Sequence, residues 1–307
     1  MTSLDTLPAS WKITRIRKPH FEMVRLGHKR IHWFSLAELP EQEPLEELIE
    51  TVLNRSPKGV VIRGCNDELA EKLCHFNFKK LFIGQEAVLN LHSSHFEKKS
   101  LKELVRRGKK KGRVREIQYT TLAQARINKL RWESPHGFKP QLRHLFRLEF
   151  EPDDRCFVFE FPDGSWKGAI TVSRAAHDKI QTELLVRHRA APPGIMEALI
   201  EHIFMQLKKE GFGCWSLGEV PFIRPAGSHW QMKEQIIHRA GRLLNYAYNA
   251  RGLYHFKNKF NPQWKNVYLC GYPDISFFSL WGLFRKSNFS RLALTTIPGL
   301  RRIPFIL

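Results

Sequence analysis

Cysteine is scarce in this sequence and widely spaced. The five cysteines, Cys65, Cys74, Cys156, Cys214 and Cys270, are odd in number and form no CxxC pair. That argues against a disulfide framework, and it fits a reducing compartment. Long apolar runs are also missing. No stretch approaches the roughly 18–20 residues of a membrane-spanning helix. The beginning, MTSLDTLPASWKITRIRK, carries Asp5 and no apolar centre, so it does not read as a signal peptide. The chain is therefore expected to be cytoplasmic, with any membrane contact peripheral. Several motifs are absent as well. There is no GxSxG nucleophile elbow, and neither a GxxxxGK[ST] phosphate loop nor a GxGxxG turn. His92 and His95 lack the glutamate of an HExxH pair, so no metal site is expected.

Acidic residues are in short supply too. Against 50 Lys and Arg stand 30 Asp and Glu, a net charge of +20. Such a balance implies a polyanionic partner, either nucleic acid or an anionic membrane surface, and says nothing about fold. With 307 residues, 42% of them apolar, the chain is long enough for two domains and a sizeable core.

Strand and helix signals alternate through both halves. FEMVRLGHKRIHWF (21–34) predicts two short strands around Gly27-His28. In residues 42–54, Leu45, Leu48, Ile49, Val52 and Leu53 share one helical face. GVVIRG (59–64) reads as a buried strand, Asn66 as the cap of a helix over 66–76, and 81–91 as a strand. In the second half, two strands flank the turn PDGS (162–165), and a third covers 180–186. Helices follow over 194–211 and about 229–243, with strands at 214–220 and 266–272. The fold class is thus α/β (α+β), with mixed central sheets flanked by helices.

Two stretches stand out for charge. From Lys98 to Arg115 there are ten Lys and Arg and one acid, Glu103. A helix there would present Arg106, Arg107, Lys109, Lys110 and Lys111 as a phosphate-backbone surface, which positions a nucleic acid without reading its sequence. From 275 onward the chain has no acid. Phe277, Leu280, Trp281 and Phe284 fall at helical spacing beside Arg285 and Lys286. An aromatic face next to a basic one is the composition of an interfacial helix. The alternative is a helix packed on the protein with its cations merely solvated.

The junction RAAPPGIM (189–196) is similar to the acetyltransferase (GNAT) layout, where backbone N–H groups at a helix N-terminus meet an anion. Enzymes of that type that use acyl-CoA carry R/Q-x-x-G-x-G/A there. Pro192 stands in place of the first glycine and removes a donor. That weighs against a coenzyme A donor.

PPGIMEALIEHIFMQLKKEGFGCWSLGEVPF (192–222), followed by NARGLYHFKNKFNPQWKNVYLCGYP (249–273), resembles the catalytic domain of the phosphatidylglycerol lysyltransferases, or aminoacyl-phosphatidylglycerol synthases. Three blocks match in order: P-x-G-x-M-(D/E)-x-L, (F/W)-x-L-G-x-x-P and G-L-x-x-F-K-x-K-F-x-P-x-W-x-x-x-Y. The resemblance covers about 180–273. It implies tandem GNAT-like folds: an N-terminal one over 1–150, a catalytic one over 151–274, and a basic aromatic tail over 275–307. It also implies transfer of an aminoacyl group from charged tRNA to a hydroxyl of phosphatidylglycerol, with no cofactor, by a free-standing module on the inner face of the membrane.

Site residues follow from the same matching. Lys257 and Lys259, in an extended segment, would share one face of a cleft. One would contact phosphate and the other the oxyanion of the tetrahedral intermediate. Glu183 is expected to bind the amino group or accept a proton. Arg187 and Arg189 would bind phosphate, Tyr254 and Asn249 would contact substrate, and Glu219 is a second candidate base. Asn245 stands near a place where the family tends to carry an acid, which leaves the transferred amino acid open. Two other readings remain: a GNAT-type N-acyltransferase using an acyl thioester, and a non-catalytic module binding RNA or membrane.

Overall fold

Asn66 accepts a hydrogen bond from the Leu69 N–H at 2.9 Å and so starts a helix where its sequence places one. The same agreement between local signal and element runs through most of the chain. The computed structural model describes residues 7–27, 30–41, 43–223 and 231–296. In the first half lie β1 (Lys12–Ile13), β2 (His20–Leu26), β3 (Ile31–Leu39), α1 (Leu45–Arg55), β4 (Val60–Cys65), α2 (Asp67–His75), β5 (Lys79–Asn90), α3 (Lys99–Lys109), β6 (Arg113–Ile117) and α4 (Thr121–Trp132). In the second lie β7 (Arg155–Glu160), β8 (Trp166–Arg174), β9 (Lys179–Arg187), α5 (Ile195–Lys209), β10 (Cys214–Pro221), α6 (Met232–Leu243), a 3-10 turn (Leu244–Tyr246), α7 (Ala250–Asn258), β11 (Gln263–Tyr272), α8 (Phe277–Lys286) and α9 (Phe289–Thr296).

The eleven strands among the described residues belong to one mixed sheet, in the order β1-β3-β4-β11-β5-β10-β9-β8-β7-β6, with β2 paired to β3. Two strands cross between the halves of the sequence. β6, from the first half, pairs antiparallel with β7, and β11, from the second, lies between β4 and β5. The antiparallel pair β5–β10 joins the two sides of the sheet. The expected division at 150 falls between α4 and β7 in sequence, while the sheet runs across it without a break.

One core packs α1 and α2 on β3 and β4, around Phe34, Ile49, Val52 and Leu73. A second packs α3 and α5 on β8 and β10, around Leu199, Ile203, Phe204 and Trp215. Each fully buried leucine or phenylalanine contributes roughly 1.5–3 kcal/mol of transfer free energy.

One expectation is overturned here. Residues 250–258 form α7 rather than an extended segment. Asn249 caps it, accepting from the Gly252 N–H at 2.8 Å. Leu253 and Lys257, one turn apart, face inward together. Residues 297–307 of the expected basic aromatic tail lie outside the described residues.

Candidate active site

A β-bulge sets the geometry of the site. The β10–β5 register shifts between Ser216 and Glu219, and Gly218 sits there at φ +87°, a backbone conformation that favours glycine. The missing Cβ also leaves room for a neighbour: a side-chain carbon at Gly218 would lie 3.4 Å from the Lys257 Nζ. That ammonium nitrogen donates to the main-chain oxygen of Glu219 at 3.0 Å. Lys257 is only 4% exposed. Burial lowers its pKa to about 7, because the nearby Glu219 and Glu86 carboxylates offset only part of the lost hydration.

Those carboxylates are already engaged. Glu219 and Glu86 stand directly opposite one another across β10 and β5, an arrangement that destabilises a sheet unless the charges are compensated. Arg63, on β4, pairs with Glu219 Oε1. Lys179, on β9, holds both oxygens of Glu86, at 3.1 and 3.2 Å. Burial alone would raise the Glu86 pKa, but Lys179 overrides it and the net direction is down. Glu219 Oε2 is buried without a partner among the described residues. Tyr248 lies nearby, its hydroxyl pKa pushed up by burial and then by the Glu219 charge.

Of these groups, Arg63, Glu86, Glu219, Tyr248 and Lys257 form the polar end of a cavity of about 620 Å3. The rest of the wall is apolar and comes from other elements: Leu142 and Phe146 from the segment after α4, Ile237 from α6, and Leu280, Trp281 and Phe284 from α8. One cavity therefore joins a charged floor to a hydrocarbon-like wall. That shape suits an amphipathic substrate.

The remaining expected site residues are dispersed. Glu183 lines the cavity but is buried, its Oε1 accepting from Ser173 Oγ at 2.5 Å and from Gln181 at 2.7 Å. Burial raises its pKa against those bonds. It also feels Arg147 and Lys12, two buried cations that hold Glu151; Lys12 further pairs with Asp154 at 3.0 Å. Lys259 does not join Lys257. Two residues along a helix rotate about 200°, so Lys259 points away and pairs with Glu197 at 2.9 Å. The expectation of two lysines in one crevice fails for that reason. Arg187 is exposed at the end of β9. Arg189 donates to the carbonyls of Glu133 and Trp132 at the end of α4, at 3.1 and 3.2 Å. Tyr254 stacks on Trp264 with ring centroids 4.7 Å apart. Asn249 is engaged as the α7 cap.

On α3, Arg106 and Arg107 both hold Glu103, and Lys109 reaches Glu201 at 2.8 Å, while Lys110 and Lys111 are exposed. The opposite face, Leu101, Val105 and Gly108, is buried on α5. Gly108 meets Gly194, the N-cap of α5, so closely that a Cβ on Gly108 would lie 2.3 Å from the Gly194 carbonyl oxygen. The basic helix thus covers the AAPPG turn. Glu197, in the first turn of α5, brings its own carboxylate to that helix N-terminus.

Sequence reasoning missed Arg63, Glu86, Lys179 and Tyr248. The available signal was a charge inside an otherwise apolar strand, as in VVIRGC for Arg63.

A family model described as "Phosphatidylglycerol lysyltransferase, C-terminal" matches residues 28–271. The chain belongs to that family. A curated phosphatidylglycerol lysyltransferase from Bacillus subtilis (strain 168) is 34% identical over 89 residues, which are 28% of this chain and 10% of that protein. The match thus spans about one tenth of the curated relative. Two solved structures share the fold of this phosphatidylglycerol lysyltransferase family member. The L-PGS of Bacillus licheniformis aligns with a TM-score of 0.70 at 18% identity, over 89% of this chain and 86% of that one. The C-terminal domain of a putative lysylphosphatidylglycerol synthetase from Agrobacterium fabrum aligns with a TM-score of 0.66 at 16% identity, over 86% and 83%. Among the described residues no helix is long and apolar enough to cross a membrane.

Proposed function

We propose that this chain moves an aminoacyl group from a charged tRNA to a hydroxyl of phosphatidylglycerol or a related lipid. The observation that carries the reading is the cavity, whose polar floor at Lys257 and Glu219 continues into an apolar wall. A lipid would place its headgroup on the floor and its first methylenes against α6 and α8.

Lys257 is the proton carrier in this scheme. A buried amine with a pKa near 7 is neutral often enough to accept a proton and acidic enough to return it. The acceptor hydroxyl loses its proton to the Lys257 Nζ as its oxygen attacks the ester carbonyl. The ester bond to the tRNA ribose then breaks, and the ribose oxygen takes the proton. Glu219, held through Oε1 by Arg63, keeps Oε2 for the ammonium of the aminoacyl group. Glu183 shapes the same wall from within its hydrogen-bonded cluster.

The cover of α3 over the α5 N-terminus, with Glu197 beside it, supports a donor other than coenzyme A: a pyrophosphate would meet a backbone contact and a carboxylate. The exposed Lys110 and Lys111 offer charge to a tRNA backbone. Arg285 and Lys286 on α8 offer the same to anionic lipid at the inner face of the cell membrane.

The test is direct. Purified protein with charged tRNA and phosphatidylglycerol vesicles should yield aminoacylated lipid, and acetyl-CoA should not replace the tRNA. Transfer from an acyl thioester would reject the reading in favour of an N-acyltransferase. No transfer from any donor would leave a binding module.

A further inference from the structure

Most exposed, large apolar side chains of a soluble surface are scattered. Here they concentrate around the cavity. Met232, Ile236 and Leu243 stand out on α6, Phe277, Phe278 and Trp281 on α8, and Leu294 on α9. Elsewhere such residues are fewer: Met23 on β2, Leu122 on α4 and Met205 on α5 stand singly, and Trp132 and Phe138 form a small pair beside Arg189. Three side chains belong to both sets. Ile236, Phe277 and Trp281 line the cavity and are also 45%, 47% and 58% exposed. They mark its mouth, and the mouth sits at the middle of the apolar patch.

The two helices meet at their starts. Lys233 donates to the Ile275 carbonyl at 2.7 Å and lies over the Phe277 ring at 6.0 Å. Around the patch, Arg239, Arg242, Arg285, Lys286 and Arg291 are exposed. The acids are few and occupied. Glu234, the sole acid on α6, α8 and α9, is buried and accepts from the N–H groups of Phe82 and Gln231, both at 2.9 Å. Asp274, just before α8, pairs with Lys233 at 3.4 Å.

We propose that this composite face of α6 and α8 docks on an anionic lipid bilayer with the cavity mouth turned toward the membrane. The charge decides the occupant. A second copy of the chain would bring one basic rim against another, whereas an anionic bilayer neutralises the rim while it covers the aromatic and aliphatic centre. The orientation has a chemical consequence. An acyl chain could pass from the bilayer between Ile236 and Trp281 into the cavity without its methylenes crossing water. The tail alone does not make this surface; α6 contributes half of it.

The proposal serves the lipid-acceptor reading above, so its test measures binding apart from chemistry. Flotation of the full chain is compared on vesicles of phosphatidylglycerol with phosphatidylcholine and on phosphatidylcholine alone. The Met232→Glu/Leu243→Glu double variant should lose at least tenfold in partition to the anionic vesicles, with an unchanged melting temperature. Met205→Glu, away from the patch, should float like the wild type. Neither Met232 nor Leu243 lines the cavity, so transfer to a short-chain, water-soluble acceptor should be unaffected in the double variant. Undiminished flotation of the double variant overturns the proposal. So does equal binding of the wild type to neutral vesicles, or a wild-type dimer that the double variant dissolves without change in flotation. A protein that floats as expected but transfers nothing keeps this surface and loses the transferase reading.

Discussion

Lys257 Nζ donates to the main-chain oxygen of Glu219 at 3.0 Å, not to the carboxylate of the same residue, whose Oε1 is held by Arg63. The ammonium is thus buried against a dipole while the nearby full charges are already matched. That explains why burial wins and the pKa falls to about 7.

This has a catalytic consequence. If Lys257 carries the proton, transfer should fall as pH drops below about 7, since the protonated amine cannot accept one. Lys257→Ala should lower the rate by about 10²–10⁴-fold, the usual span for a general acid–base group. A pH–rate profile of the wild type together with single-turnover rates of the variant checks both. A flat profile between pH 6 and 8 would remove Lys257 from the proton path.

The same shift affects stability. Between about pH 7 and the ordinary lysine range, the unfolded chain holds a proton that the folded chain does not, so wild-type stability should rise with pH across that window. Lys257→Met should abolish this rise and stabilise the fold below pH 7, by on the order of 5 kcal/mol at most. Denaturant melts of the two proteins at pH 6.5 and pH 9.5 give the comparison.

Arg63 and Glu219 are coupled across two strands from opposite halves of the sequence. Arg63→Ala leaves a buried carboxylate unmatched and should cost about 3 kcal/mol. Adding Glu219→Gln should restore much of that stability without restoring transfer. A double-mutant cycle of melting and activity separates the two effects.

Gly108 and Gly194 allow α3 to lie against the start of α5. Gly108→Ala forces the helices apart and should destabilise by about 1–3 kcal/mol, as overpacking does. If α3 guards that helix N-terminus, the variant should still show no binding of coenzyme A in calorimetry, because Glu197 remains there.

The exposed pair Lys110 and Lys111 should contribute to tRNA affinity through phosphate contacts alone. Lys110→Glu/Lys111→Glu is expected to weaken binding at low salt and to make the salt dependence shallower by up to about two counterions. Filter binding at several salt concentrations reads the slope. An unchanged slope would assign the tRNA to another face.

Local chemistry was enough to place most elements. Asn66 before an amphipathic run, the PDGS turn and the spacing of Leu48, Ile49 and Val52 act over a few residues, so one sequence suffices to read them. The lysine-rich GLYHFKNKFNP stretch was not legible as a helix, because its Asn249 cap lies just ahead of it and its inner face includes a charge. Helicity in turn sent Lys259 to Glu197 and kept Lys257 alone.

The sequence by itself determined most of the strand and helix order, the excess of positive charge and the family. Each rests on composition, short-range periodicity or motif blocks that do not depend on distant contacts. Tertiary structure alone decided the site. Arg63, Glu86, Lys179, Glu219 and Lys257 come from five different elements. They meet because β11 threads between β4 and β5 and because β10 bulges at Gly218. A buried charge acquires its protonation state from whatever the fold sets beside it, and that neighbourhood is not written in the order of the residues.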